Sequence, residues 1–364
     1  MKIVRFNRGG GKMAKLRVSP SNISNYLFCP YKYFLSKQKP RIPTQKDPRA
    51  ALGIALHLAI YMLYQILDRP KTLEKRLKAG NSTTYWYTTL QGFINFCAGL
   101  ITEHLKGDQA DPKRVRDCKP IAWPKDATEE EIEELKGRLL ASGLWMAKEY
   151  YLSHQEKPAP FLREKRLSYP LVQEISSGVE LVAVLDQVRK DSQERIWIAD
   201  LKTGFDPFER VFRETDTCGQ KLTKLHIDYQ LSAQWLLFEK CMASRYGSPY
   251  KVGLYYLKSQ NLYADKRTPG QIELLFEIIR EIISAWNRNS FPPTGMSANL
   301  CRYCDYKEVC PHLRGARPIK PLTIDEIEED LPTREELEEK LSEELKDLRF
   351  KQLRLNLKKR KLTR

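Results

Sequence analysis

Residues 195–204 read RIWIADLKTG, and the reading of the fold starts there. Ile196 and Ile198 fall on one side of an alternating run, as in a half-buried strand, and Asp200 and Lys202 close it. In an extended chain, residues i and i+2 point to the same face. An acid and a base therefore stand side by side where a strand opens into a loop. Such a pair is either a surface ion pair or half of an active site.

The flanking sequence gives the pair a setting. Upstream, FLREKRLSYPLV (161–172) and GVELVAVLDQVRK (178–190) are two more strand-like runs. Downstream, LHIDYQLSAQWLLFEKCMASRYG (225–247) reads as an amphipathic helix ending at Gly247, KVGLYYLKS (251–259) as a strand and QIELLFEIIREIISAW (271–286) as a helix. The order strand, strand, strand, helix, strand, helix predicts a mixed α/β core. Asp186 lies late in the second strand. If the second and third strands are antiparallel neighbours, Asp186 and Asp200 meet at one end of the sheet. Two hard oxygen ligands suit Mg²⁺ or Mn²⁺. Lys202 beside them can hold a water and stabilise negative charge at phosphorus, as phosphodiester hydrolysis requires. The alternative is two strand-end acids with a paired lysine.

Composition narrows the class. The 364 residues suffice for two domains or one large domain with insertions. A formal net charge of +16 makes a polyanion the natural partner. The opening MKIVRFNRGGGKMAKLRVSP is basic but lacks the apolar stretch of a signal peptide. The greasy run IALHLAIYMLYQIL is too short to span a bilayer and contains His57. No membrane association is expected, and the protein is read as intracellular and cytoplasmic, where thiols stay reduced. Of eight cysteines, Cys97, Cys118, Cys218 and Cys241 stand alone, whereas CRYCDYKEVC packs Cys301, Cys304 and Cys310 into ten residues. Three clustered thiolates suggest a metal centre with one ligand missing.

Helical signals surround the α/β core. SPSNISNYLFCPYKYFL, containing Cys29, reads as one short helix with an aromatic face, and GIALHLAIYMLYQIL as a second, buried one. Residues 68–160 read as helical, with Thr128 and Glu131 forming a capping box. Tyr85, Trp86 and Tyr87 are adjacent within it, and an exposed ring among them could stack on single-stranded bases or pack on a neighbouring helix. After the prolines of the tail, Thr333 and Glu336 cap a helix carrying Leu337, Leu341, Leu345 and Leu348.

Taken together, Asp186, Asp-x-Lys at 200–202 and a following glutamine-bearing helix (YQLSAQW) resemble the PD-(D/E)XK nuclease superfamily, in its RecB-like branch. The resemblance implies a restriction-endonuclease-like fold and metal-dependent DNA cleavage. It assigns His57, in a Gly-x-x-x-His spacing from Gly53, to the metal with Asp186, Asp200 and the Leu201 carbonyl. Lys202 becomes the catalytic cation, and Gln230 and Glu164 its support. Two departures stand out: Ala183 where the family usually has glycine, and Gln234 where it has a tyrosine that contacts DNA. Some members hold a [4Fe-4S] cluster by one N-terminal cysteine and a C-terminal Cys-x-x-Cys-x-x-x-x-x-Cys, which matches Cys29 with Cys301, Cys304 and Cys310. This layout resembles the AddB nuclease domain, CRISPR-associated RecB-like nucleases and exonuclease V. Four cysteines also suit Zn²⁺.

The resulting plan is a basic extension (1–18), the start of the nuclease core (19–67), a helical insertion (68–160), the main core (161–290), the cysteine cluster (291–313) and a charged helical tail (314–364). The resemblance implies an exonuclease on single-stranded DNA or DNA ends, in recombination, repair or phage DNA processing. Alternatives are a nuclease trimming DNA for CRISPR adaptation with an integrase partner, the nuclease of a helicase–nuclease complex, or a non-catalytic DNA-binding module.

Overall fold

The computed structural model describes residues 16–38, 42, 44–67, 89–112, 119–154, 157–176, 178–204, 206, 228–294, 301, 304–313, 323–328, 331–333, 335–337, 339 and 341. Six strands form one mixed sheet: β1 (Leu16–Val18), β2 (Leu162–Pro170), β3 (Val179–Lys190), β4 (Ile196–Lys202), β5 (Pro249–Tyr256) and β6 (Asn261–Asp265). Their order is β1-β3-β4-β5-β6, with β2 pairing β3. The long β3 takes parallel β1 along its first residues, antiparallel β2 along most of its length and antiparallel β4 along its last. Strands β4 and β5 run parallel, so the chain must cross over between them.

The third strand's pairing settles where the acids go. Gln187 pairs with Ala199, which puts Asp186 and Asp200 just beyond the last paired residues. This is the antiparallel neighbourhood that the sequence predicted. Two strands escaped the sequence reading: β1 has three residues, and β6 is a short antiparallel partner of β5 with little buried surface. Gly253 makes β6 possible, because a Cβ there would lie 2.2 Å from the Tyr263 carbonyl oxygen.

Helices cover both faces of the sheet. On one lie α1 (Pro20–Phe28), α2 (Pro30–Ser36) and two helices that follow later in the chain. These four share a core with the strands, including Ile23, Tyr33, Leu237, Phe238 and Ile279. On the other lie α3 (Pro48–Leu67), α4 (Leu90–Leu105) and α5 (Glu129–His154), packed with Ala199, Leu201, Tyr255 and Leu257. The helices expected as an insertion thus build a layer together with α3. The two later helices are α6 (Tyr229–Tyr246), capped by Asp228 and ended at Gly247, and α7 (Pro269–Arg288), with a Thr268–Gln271 capping box. The Thr128–Glu131 box before α5 forms as expected. In the tail, Thr333 and Glu336 also cap each other, and Leu337 and Leu341 are buried on the α3–α5 side beside Ile327 of α8 (Ile324–Glu328).

One helix expected over residues 19–35 is two. Cys29 is extended (φ −165°, ψ 116°) because Pro30 disfavours a helical residue before it and starts α2 afresh. Among the described residues, no helix is long and apolar enough to cross a membrane.

Candidate active site

The β3 and β4 ends, the N-terminal half of α3 and the first turns of α6 meet at one place. His57 Nε2 lies 3.0 Å from the Leu201 carbonyl. A carbonyl only accepts, so Nε2 carries the proton and Nδ1 presents its lone pair. That lone pair faces Asp186 Oδ2 at 3.5 Å and Glu164 Oε1 at 4.0 Å. Burial holds the His57 pKa below its ordinary value, against the pull of Asp200, so the ring is neutral near pH 7. One ligand atom each from His57, Glu164 and Asp186 lies within 4.8 Å of the others. Three lone-pair donors aimed at one point repel each other unless a cation or protons lie between them. The donor set, one imidazole pinned by a carbonyl and two carboxylates, fits a divalent ion.

The titration behaviour follows from this crowding. Burial and the nearby Asp200 raise the Glu164 pKa to about 7. Burial, Asp200 and Glu164 push Asp186 well up, although the Leu201 N–H donates to its Oδ2 at 2.8 Å. Glu164 is directly opposite Asp186 between the pairs Arg163–Gln187 and Lys165–Leu185. Its φ of 44° is the left-handed region, which costs a non-glycine residue on the order of 1–3 kcal/mol. This strained residue holds one carboxylate against another.

Asp200 lies next to this group. It is almost wholly buried, and Gln230 Nε2 (2.5 Å) and Gln234 Nε2 (2.8 Å) both donate to its Oδ1. Lys202 Nζ lies 2.6 Å from Oδ2 and donates to Gln230 Oε1 at 3.1 Å. Glu164 thus joins His57 and Asp186 as a third donor, Asp200 lies close enough to act on the titration of all three, and the Leu201 carbonyl accepts from His57 Nε2. Burial works against the charge on Lys202, but Asp200, Asp228 and Asp186 outweigh it and hold its pKa above the ordinary value. Lys202 is a fixed cation.

Gln234 has no exposed surface, and its amide serves Asp200 and the Val184 carbonyl (3.2 Å). The DNA contact expected at this position therefore gives way to a grip on the carboxylate. The signal was in the sequence: Gln230 and Gln234 are one turn apart on α6, so both amides reach one acceptor. Tyr85 and Trp86 lie outside the described residues.

Gly53 explains the spacing to His57. A Cβ at residue 53 would sit 2.8 Å from Thr203 Oγ1, so glycine lets α3 press against the chain just past Lys202. One turn later His57 then reaches the Leu201 carbonyl. Gly53→Ala is expected to cut turnover about tenfold with a small change in Tm, because α3 shifts by tenths of an ångström; paired kinetic and thermal measurements check this.

The cysteines converge elsewhere. Cys29, Cys301, Cys304 and Cys310 line one pocket between the start and the end of the described chain, with Tyr31 and His312. The two rings meet at 4.4 Å, a contact the sequence did not suggest although His312 follows Cys310 by two. All four thiols are free. Burial raises the Cys301 and Cys304 pKa values, with Cys29 adding to both shifts. No three of the four sulfurs, among the described residues, lie within 4.8 Å of one another.

Comparison with known proteins fits this geometry. No curated protein matches the sequence. Among solved structures, one titled "Crystal structure of SSO0001" aligns at 14% identity over 50% of this chain and 78% of that chain, with a TM-score of 0.29. The family model described as the PD-(D/E)XK nuclease superfamily matches residues 17–311. That span takes in both layers of helices, the whole sheet and the four cysteines, and the chain belongs to the PD-(D/E)XK nuclease superfamily.

Proposed function

We propose that the chain is a deoxyribonuclease of the RecB-like branch, an exonuclease acting on single-stranded DNA or on DNA ends. Membership of the superfamily implies a metal-dependent nuclease. The observation that carries the finer reading is the convergence of His57, Glu164 and Asp186 beside the Asp200–Lys202 pair. His57, Glu164 and Asp186 would hold Mg²⁺ or Mn²⁺, which supplies an acidified water and neutralises phosphate charge. Asp200, gripped by Gln230 and Gln234, fixes Lys202. The Lys202 ammonium then orients the attacking water and stabilises charge developing at phosphorus. Its raised pKa suits a cation and argues against a role as general base. Residues 19–67 and 161–290 make the catalytic unit in this reading, since α3 contributes His57.

The test is cleavage of end-labelled single-stranded DNA by anaerobically purified protein. Cutting with Mn²⁺ or Mg²⁺ and none with EDTA is expected, and the position of the label gives the polarity. DNA bound but left intact in Mn²⁺ would demote the chain to a binding module.

The cysteine pocket supports a [4Fe-4S] cluster over zinc. Tetrahedral Zn²⁺ with bonds of about 2.3 Å would bring all four sulfurs to roughly 3.8 Å from one another, whereas no three of these sulfurs lie within 4.8 Å of one another. Four cysteines on one pocket suit the wider iron–sulfur cube. Anaerobically purified protein is expected to be brown and to contain iron, and Cys29→Ser to lose most of both. Zinc in place of iron, by elemental analysis, would refute the assignment.

A further inference from the structure

A second concentration of charge lies at the other end of β4 from Lys202. Three cations gather around the ring of Tyr250: Arg195 at 4.2 Å, Lys266 at 4.9 Å and Lys251 at 5.7 Å from its centroid. Lys251 also stands 5.4 Å from the Trp197 ring, and the two rings are 6.0 Å apart. Asp191 accepts from Arg195 Nε (2.8 Å) and Trp197 Nε1 (3.0 Å), which fixes both side chains. Lys251 and Lys266 make no ion pair with a described residue. A cavity of about 480 Å³ opens beside the cluster, walled further by Trp235 and Tyr246.

Cation–π attraction accounts for each cation singly, but not for three like charges on one ring, which repel one another. The arrangement has two cations without counter-charge and aromatic faces close to them. A phosphodiester supplies the charge and its bases supply faces to stack. We infer that this cluster binds the backbone of a nucleic-acid strand at a second site, away from the catalytic end. The inference rests on the nuclease reading and extends it to how the substrate is held. Six residues of β4 separate Ile196 from Lys202, so the two sites are about 20 Å apart. At the 3.4 Å per nucleotide of a stacked strand that is about six nucleotides, and a tetranucleotide stacked at that rise covers only about 14 Å from the catalytic end.

The test compares wild type with Lys251→Gln/Lys266→Gln, a change that removes charge and keeps a polar side chain only one atom shorter. Binding of a fluorescent 20-nucleotide strand is read by anisotropy in EDTA at several salt concentrations, and cleavage of a tetranucleotide in Mn²⁺. The variant is expected to bind the 20-mer about tenfold more weakly at low salt. Its slope of log K against log salt should fall by about 1.4, or 0.7 for each lost phosphate contact. Tetranucleotide cleavage should stay within about twofold. In wild type, an iodouracil-substituted 20-mer should photocrosslink to Trp197 or Tyr250. Unchanged affinity and slope in the variant, beside a wild type that cuts DNA, would overturn the second site and leave the nuclease standing. Loss of tetranucleotide cleavage in the variant would overturn its separateness. A wild type that neither binds nor cuts would overturn both readings.

Discussion

Replacing Lys202 with alanine is expected to lower metal-dependent DNA cleavage about 10²- to 10³-fold, the scale set by removing a preorganised donor from a transition state. Binding of uncut DNA should change by less than tenfold, since Lys202 is one cation among many. The geometry explains the split. Lys202 Nζ is held by Asp200 Oδ2 and Gln230 Oε1, so its position is fixed before any substrate arrives. Removing it leaves Asp200 buried with its two amide donors and no counter-charge, so a lower Tm accompanies the loss. Lys202→Arg separates the two effects. It keeps the charge and most of the stability, but a planar fork cannot reproduce the ammonium's position, and activity should return only in part. Full activity in Lys202→Ala at matched Tm would remove this residue from the mechanism.

Removing divalent ions is expected to give the folded protein a stability that falls as pH rises. Glu164 has a folded pKa of about 7 against an ordinary value near 4.5, and Asp186 is raised too. A raised carboxylate means that the folded state binds its proton more tightly than the unfolded chain does. Below about pH 4.5 both states are protonated and there is no difference. Between about 4.5 and 7 the unfolded chain releases the proton first, so stability declines across that window and levels off above it. The metal acts oppositely, because it displaces those protons and needs the ionised carboxylates. The Tm rise on adding Mn²⁺ should therefore be larger at pH 8 than at pH 5, by on the order of 2–4 °C. Glu164→Gln should flatten the metal-free profile. Thermal melts at both pH values with EDTA or Mn²⁺ check the sign, and a metal-free Tm that rises between pH 5 and 7 would contradict it.

The candidate site was legible in part because its residues obey short-range rules. Asp200 and Lys202 share a strand face, the antiparallel hairpin of β3 and β4 brings in Asp186, and Gly53 stands one helical turn before His57. What was not legible depends on three dimensions. No local pattern says that Glu164 adopts a positive φ opposite Asp186 and so joins His57 and Asp186. The same holds for β6, whose weak strand signal is overridden by a glycine that lets it close on β5. Cys29 shows the reverse case: the Pro30 that splits the helix was in plain view, but its effect on the thiol's direction depends on residues 301–313.

Tyr31, Lys32 and Tyr33 are also tied to residues far along the chain without any metal. Trp286 Nε1 donates to the Tyr33 hydroxyl at 3.0 Å, Lys32 pairs with Asp305 at 3.3 Å and Tyr31 meets His312. During synthesis, α1 and α2 therefore leave the ribosome long before their partners exist. At about 5–20 residues per second, residue 301 follows residue 29 by roughly 15 to 55 s. Until then the aromatic face of α2 has no cover from this end of the chain.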